Sequence, residues 1–411
     1  MTNKSGAVFR SVVVCLSIVA GFADCLRPRT REAPPPRWDA RLAPLRLEGD
    51  TGVVDTIAFG ALHRAFLVRQ GPWAVHVLDI DRDACWSPVA VKGAAGAAGR
   101  STSSSLVASV AQTGETVAGG VNADFFLFDP PGVPQGAHVS ASTVVTGPAA
   151  RPVFAVDENG RPWMGMLTVT GVAVSARDSI PVVSWNRIAT NGLAWFDAGY
   201  GSAVDTLTGS VRVVMSGLRG VVQAVDTALV PTRIPSSGGV LVLGPRAPAQ
   251  VRERFILAAR ARGRFDTQVR LLPVHPREAV GGFPVLVRDS LEVAGLDSAG
   301  SATFAPVRHP RTIVGVASRG RRLLLITVDG RQPGYSAGTT LRESARLALS
   351  LGATEAINLD GGGSTAMVVA RPGSPTGFEV VNKPSDAQGE RAVGNALVVV
   401  RTGRVCRGWE G

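Results

Sequence analysis

The sequence predicts an α+β fold: a single intertwined domain of mixed sheets, with a βαβ unit that carries a functional site on the C-terminal edge of its strands. Three observations predict it. Gly (48) and Pro (27) are abundant and spread along the 411 residues, which favours many short strands and turns over a helical bundle. Only one segment, from Thr340 to Gly352, has a strong helical pattern with both a start and a stop signal. No Pro-, Gly- or Ser-rich linker interrupts the span from Arg46 to Arg401, so one domain is expected across it.

The elements follow in order. WAVHVLDI (73–80) alternates as a strand does. The small residues of 93–105 read as a loop leading to a short helix at 105–112. VAGGVNADFFLF (117–128) is a strand running into an Asn-Ala-Asp turn, and 130–136 is a loop. From 153 to 284 short alternating strands prevail, among them 211–217 and 240–244, with a short helix at 252–262. EAVGGFPVLV (278–287) sets glycines beside an apolar run. Two strand-length runs, 323–328 and 355–359, each end in Asp-Gly. Between them Thr340 and Glu343 make a capping box, Leu341, Ala345, Ala348 and Leu349 repeat at helical spacing, and Gly352 ends the helix. Strand, helix and strand in that order should leave the two strands parallel, with Asp329 and Asp360 side by side on one sheet edge. One or two strand spacings would separate the carboxylates by about 5–10 Å. A strand at 393–400 closes the domain.

The formal charge is +11, from 43 Lys and Arg against 32 Asp and Glu. Only Lys4, Lys92 and Lys383 are lysines, and the arginines are scattered without a dense run, so no nucleic-acid partner is expected. Residues 1–25 read as an export signal: Lys4 and Arg10 precede an apolar stretch, and Gly21-Phe22-Ala23 offers a cleavage point. The protein is therefore expected to be exported: periplasmic, secreted or at the cell surface. Cys25 raises a lipid anchor as the one route to a membrane, against which Asp24 stands where a small residue belongs. Residues 26–46 read as a Pro/Arg-rich tether, 47–401 as the domain and 402–411 as a tail. Cys85 and Cys406 are either a disulfide, which export permits, or two free thiols.

Eight segments resemble the phosphodiester glycosidase family, in the family's order: GPWAVHVLDID (71–81), GGVNADFF (119–126), IPSSGGVLVLG (234–244), VGGFPVLV (280–287), HPRTIVGV (309–316), LLITVDGRQ (324–332), GTTLRESARLALSLGATEAINLDGGGST (338–365) and RAVGNALVVV (391–400). This is the family of the N-acetylglucosamine-1-phosphodiester α-N-acetylglucosaminidase catalytic domain, the uncovering enzyme. The chain looks like a bacterial exported member without that enzyme's extra modules. The resemblance implies a hydrolase that attacks the anomeric carbon of a sugar-1-phosphodiester, on a phosphorylated glycan such as exopolysaccharide or cell-wall polymer. Two alternatives of other kinds are a non-catalytic carbohydrate-binding protein and a phosphodiesterase that cleaves P–O.

An oxocarbenium-like transition state calls for a carboxylate, and a phosphate leaving group calls for cationic or N–H donors. Asp360 is the first candidate for the catalytic carboxylate and Asp329 the second, although Asp-Gly after a strand is also a plain turn signal. Gly361, Gly362 and Gly363 with Ser364 and Thr365 read as an anion cradle of backbone N–H groups and hydroxyls, or as a tight hairpin between 355–359 and 366–370. His309, Arg311 and Thr312 form a second polar group, with Arg311 as the phosphate clamp and Arg331 and Arg391 as weaker candidates. Asn122 and Asp124 share a face and would bind sugar hydroxyls or add a second carboxylate. The capping box accounts for Glu343. His63, His76, His138 and His275 read as structural. No cofactor is identified and no metal ligand set is legible, which leaves a divalent cation at the Asp-rich turns as an open choice.

Overall fold

The computed structural model describes residues 52–68, 71–176, 178–217, 219–260 and 263–403. The export signal, the tether, Cys25 and Cys406 lie outside the described residues. Cys85 is disulfide-bonded. No helix among the described residues is long and apolar enough to cross a membrane.

The fold is α+β and dominated by strands. Its centre is an eight-stranded sheet with spatial order Val53–Ala58, Ala61–Val68, Trp73–Asp81, Arg322–Val328, Arg311–Ala317, Ala353–Asn358, Val285–Arg288 and Leu291–Glu292. A five-stranded sheet packs on it, ordered Phe378–Val380, Met367–Ala370, Val117–Asn122, Asn395–Arg401 and Trp86–Lys92.

Side-chain alternation along each strand sorts residues to the two faces. Leu78, Ile80, Leu323, Leu325, Val314 and Ile357 meet Val121, Met367, Val369, Leu397 and Val399 in the core between the sheets. Val75, Val77, Leu324, Ile326 and Val328 turn the other way, beneath the helix Leu341–Ser350. On the far side of the smaller sheet, Val368, Ala396 and Val398 pack under Leu106 and Val107 of the helix Ser103–Ala111. The four layers run helix, sheet, sheet, helix. Strands with both faces covered must be apolar at every position, which is why LLLITV and ALVVV are unbroken runs.

A second five-stranded sheet, ordered Thr143–Thr146, His138–Ser140, Pro276–Gly281, Pro152–Asp157 and Pro162–Met166, flanks this core. Residues 168–272 add a seven-stranded sheet with its own apolar cluster around Phe255 of the helix Ala249–Arg260.

The helix at 341–350 has the expected capping box: the Thr340 hydroxyl accepts from Glu343 N, and the Glu343 carboxylate accepts from Thr340 N. The flanking strands run in the same direction, as a βαβ connection requires, but they are not neighbours. Strand Arg311–Ala317 lies between them, antiparallel to both. The hairpin expected around Gly361–Gly363 is absent. Strand Ala353–Asn358 belongs to the eight-stranded sheet and Met367–Ala370 to the five-stranded one, so the glycine-rich turn crosses from one layer to the other.

That crossing sets the position of the site. Strands Arg322–Val328, Ala353–Asn358 and Val117–Asn122 end, and Arg311–Ala317, Met367–Ala370 and Asn395–Arg401 begin, on a single rim of the sheet sandwich.

Candidate active site

Asn122 joins the two sheets at this rim. Its Nδ2 donates to the Asp360 carbonyl at 2.7 Å, and its Oδ1 accepts from the Thr312 hydroxyl at 2.7 Å and from Ala366 N at 3.2 Å. Asp360 N donates to the Ala123 carbonyl at 2.8 Å. Asn122 and Thr312, expected to meet substrate, thus hold Asp360 against the segment that carries Asp124.

Asp124 is 1% exposed. Its backbone N–H donates to Asn395 Oδ1 at 2.8 Å, and its Oδ2 accepts from Gly136 N at 2.6 Å. Its Oδ1 is buried without a hydrogen-bond partner. Two close backbone approaches fix the carboxylate: a Cβ built on Gly281 falls 2.8 Å from Gly136 Cα, and one on Gly136 falls 3.0 Å from Asp124 Oδ2, so only glycine fits at either position.

Burial raises the Asp124 carboxyl to about 7, against the Gly136 N–H and the charges of Arg151 and Arg187, with the Asp360 charge adding to the rise. Asp360 keeps part of its surface open, yet its carboxyl sits deep enough that burial raises it to about 6. The Ser364 hydroxyl, the Gly361 N–H and the charges of Arg391 and Arg151 oppose that rise.

The glycine-rich turn acts differently from the expected cradle. Gly361 N donates to Asp360 Oδ1 at 2.9 Å, Gly362 N to the Pro310 carbonyl, Ser364 N to the Gly361 carbonyl and Thr365 N to the Gly362 carbonyl. These N–H groups are already satisfied inside the protein. The turn also holds a buried hydroxyl without a hydrogen-bond partner, Thr365 Oγ1, beside the Ser364 hydroxyl that is turned toward the Asp360 carboxyl. Gly362 has φ +62°, the left-handed region that favours glycine, and Gly363 leaves room for the Asp386–Arg391 pair.

Asp329 ends its strand on the same rim but faces other neighbours. It is 0% exposed. Its carboxylate accepts from Asn382 Nδ2 (2.9 Å), Lys383 N (3.0 Å) and the Tyr335 hydroxyl (3.1 Å). Burial raises its pKa, opposed by these donors. Behind it, His76 Nε2 lies 4.0 Å from Asp329 Oδ2, His63 Nε2 lies 3.2 Å from His76 Nδ1, and Asp55 lies 3.6 Å from His63 Nδ1. Burial lowers His76 to about 4, so its imidazole is neutral near pH 7, and burial lowers His63 as well. Asp329 is an anchor for residues 382–383.

Arg311 is likewise structural in its contacts. It is 1% exposed, and its guanidinium donates to the carbonyls of Thr339, Phe304 and Val307 while lying 5.0 Å above the Phe304 ring. Its Nε and Nη2 groups are thus engaged within this loop. His309 binds the Thr303 carbonyl through Nε2 and Arg331 Nη2 through Nδ1. Arg391 forms a two-point ion pair with Asp386.

One arginine was invisible in the sequence pattern. Arg151 stands beside Asp124 and Asp360, its guanidinium 5.1 Å from the Phe125 centroid and 5.4 Å from that of Phe283. An Arg-Pro at the start of a strand carries no signal of this role, because the strands that surround it are remote in sequence.

No group of three or more His, Cys, Asp or Glu among the described residues is arranged to hold a metal. A cavity of about 800 Å³ lined by Trp86, Glu278 and Thr402 lies elsewhere. It opens at the end of the 86–92/395–401 strand pair away from Asn395, and so away from Asp124. The coupled carboxylates with unpartnered polar atoms around them, not the cavity size, identify the candidate site.

Residues 211–400 match the family model described as phosphodiester glycosidase. That span includes Arg311, Asp329, Asp360 and Arg391; Asn122, Asp124 and Arg151 precede it. No curated protein sequence matches the chain. Among solved structures, a hypothetical protein from Synechocystis aligns with TM-score 0.70 and 21% identity over 86% of this chain. The chain spans 64% of that protein's length. A putative exported protein from Burkholderia pseudomallei aligns with TM-score 0.61 and 28% identity, over 80% of this chain and 74% of that one. The zebrafish N-acetylglucosamine-1-phosphodiester α-N-acetylglucosaminidase catalytic domain, auto-inhibited by its pro-peptide, aligns at 16% identity over 86% of this chain and 82% of that one, with TM-score 0.42.

Proposed function

We propose, from the match of residues 211–400 to the phosphodiester glycosidase model, that the protein hydrolyses a sugar-1-phosphodiester at its anomeric C–O bond, with Asp124 and Asp360 as the acid and base of the reaction. The observation that carries this reading is the pair itself: two carboxyls from different sheets, raised to about 7 and about 6, with the Asp360 charge helping to hold Asp124 up. Two carboxylates whose surroundings separate their pKa values are the usual source of an acid and a base in one site.

We assign the roles from the surroundings: Asp124, the more enclosed of the two and raised further by the Asp360 charge, holds the proton, and Asp360, which keeps part of its surface open, is the ionised partner. Asp360 faces the anomeric carbon, where its negative charge stabilises the oxocarbenium-like transition state and accepts the proton of the attacking water. Asp124 gives its proton to the departing phosphate oxygen. The C1–O bond to phosphorus breaks, the new C1–O bond comes from water, and the products are a free sugar and a phosphate monoester. The Thr365 hydroxyl, unpartnered in the protein, supplies a hydrogen bond to a sugar hydroxyl, with the Ser364 hydroxyl beside it on the Asp360 carboxyl. The substrate proposed is an exported phosphorylated glycan, in exopolysaccharide or cell wall, in keeping with the leader-like residues 1–25.

The test uses the full chain and a panel of sugar-1-phosphodiesters in ¹⁸O-labelled water. Equal release of reducing sugar and phosphate monoester is expected, with the label in the sugar. In Asp360→Asn turnover should fall by about 10²- to 10⁴-fold with the circular dichroism unchanged. Label in the phosphate, or full activity in the variant, would overturn the reading.

A further inference from the structure

Three phenylalanines and one arginine, from four separate segments, meet next to the two carboxylates. Phe125 directly follows Asp124, and Phe283 follows the Gly281-Gly282 pair that packs against Asp124 and Asn358. Phe304 lies 6.0 Å from Phe125, edge-on, and 6.1 Å from Phe283, stacked. Arg151 lies over the Phe125 and Phe283 rings.

The charge of Arg151 reaches both Asp124 and Asp360. Even so, its Nη1 is buried with no hydrogen-bond partner. The other arginines near the pair each have a partner within the protein. Arg187 donates to the carbonyls of Gly147, Pro134 and Gly136. Arg311 is held by three carbonyls, Arg391 by Asp386 and Arg331 by His309.

A guanidinium with its faces on aromatic rings loses hydration there and keeps its bonding capacity in the plane. A buried cationic N–H without an acceptor is costly, and an oxyanion bound in that plane removes the cost. We propose that Arg151 is the residue that binds the substrate's phosphate. On the reading of Asp124 and Asp360 given above, the phosphate then lies over the Phe125–Phe283–Phe304 ledge on the Asp124 side, and the sugar lies on the Asp360 side against Ser364 and Thr365. This places the proton of Asp124 beside the leaving oxygen and assigns the anion-binding role to Arg151 in place of Arg311.

The test reads binding apart from turnover. Calorimetric titration of inorganic phosphate into the full chain is compared with Arg151→Gln and Arg151→Lys. The Gln variant should bind phosphate at least about tenfold more weakly, and the Lys variant, which keeps a point charge, should lie between it and the parent. Thermal melts identify any variant that fails to fold, and the Lys variant then serves alone. Where diesters are turned over, Arg151→Gln should raise KM and lower kcat. Phosphate binding unchanged in both variants, or absent in the parent, would overturn the assignment. Phosphate binding that depends on Arg151 in a parent that cleaves no diester would uphold the anion site and defeat the catalytic reading instead.

Discussion

Asp124 and Asp360 sit on segments 236 residues apart in number, yet the carbonyl of Ala123 accepts the Asp360 N–H and the Asp360 charge helps to raise the Asp124 carboxyl. The backbone bond fixes their relative position, and burial makes their charges felt.

The pair predicts a bell-shaped dependence of kcat/KM on pH. Activity needs Asp360 ionised and Asp124 protonated, so the optimum should lie between about pH 6 and pH 7, with the two limbs belonging to the pair as a unit. The same shifts act on stability. Both folded values lie above the ordinary 3.8, so the fold favours the protonated forms. The stability this contributes is fully present below about pH 4 and is lost as pH rises through 6 and 7. Asp124→Asn removes the titration at one site. Its melting temperature relative to the parent should therefore rise between about pH 4 and pH 7 while activity is lost. A difference that stays flat with pH would remove the raised Asp124 value from the account.

Gly281→Ala should damage the site through space alone. The new Cβ would fall 2.8 Å from Gly136 Cα, a backbone atom that cannot rotate away, and would collide with Asp124 Oδ2. The expected result is a loss of about 10²-fold in kcat, because a displacement of about 1 Å in a catalytic group costs that much. Melting temperature should fall as well. Wild-type kinetics in a folded variant would show that the Gly281–Gly136 approach does not set the Asp124 position.

Asp329→Asn separates an anchor from a catalyst. The substitution sets an amide N–H₂ against existing donors from Asn382, Lys383 and Tyr335, and leaving one such buried group unsatisfied costs about 1–3 kcal/mol. Thermal stability should drop, while both limbs of the pH–rate profile remain where the parent has them. Loss of either limb would return Asp329 to the chemistry.

The helix at 341–350 could be read from Thr340, Glu343 and Gly352 because capping and periodicity are local. The turn at 360–365 was legible for a similar reason, since an Asp-Gly-Gly-Gly-Ser-Thr run after a strand is a local turn signal, although the burial of Ser364 and Thr365 was not. Asp124 was visible beside Asn122 as a candidate sugar ligand or second carboxylate, but not as the partner of Asp360. Its partnership with Asp360 depends on Asn122 bridging two sheets, and nothing in the spacing of the chain reports that bridge. The carbonyl contacts of Arg311 were not legible for a physical reason: an arginine beside a strand start serves phosphate or backbone carbonyls equally well, and only the folded loop at 303–307 supplied the carbonyls.

By itself the sequence determined the class of fold, the same direction of the two strands around the capped helix, and the rim on which the aspartates lie. These depend on alternation, helical period and the handedness of connections, all local or topological properties. Only the tertiary structure decided that Arg311–Ala317 separates those strands, that Asp329 is enclosed by donors while Asp360 faces Asp124, and that Arg151 rests on aromatic rings with a free N–H. Those outcomes depend on burial and on which donors arrive from distant segments, and desolvation of a charged group is a property of everything packed around it.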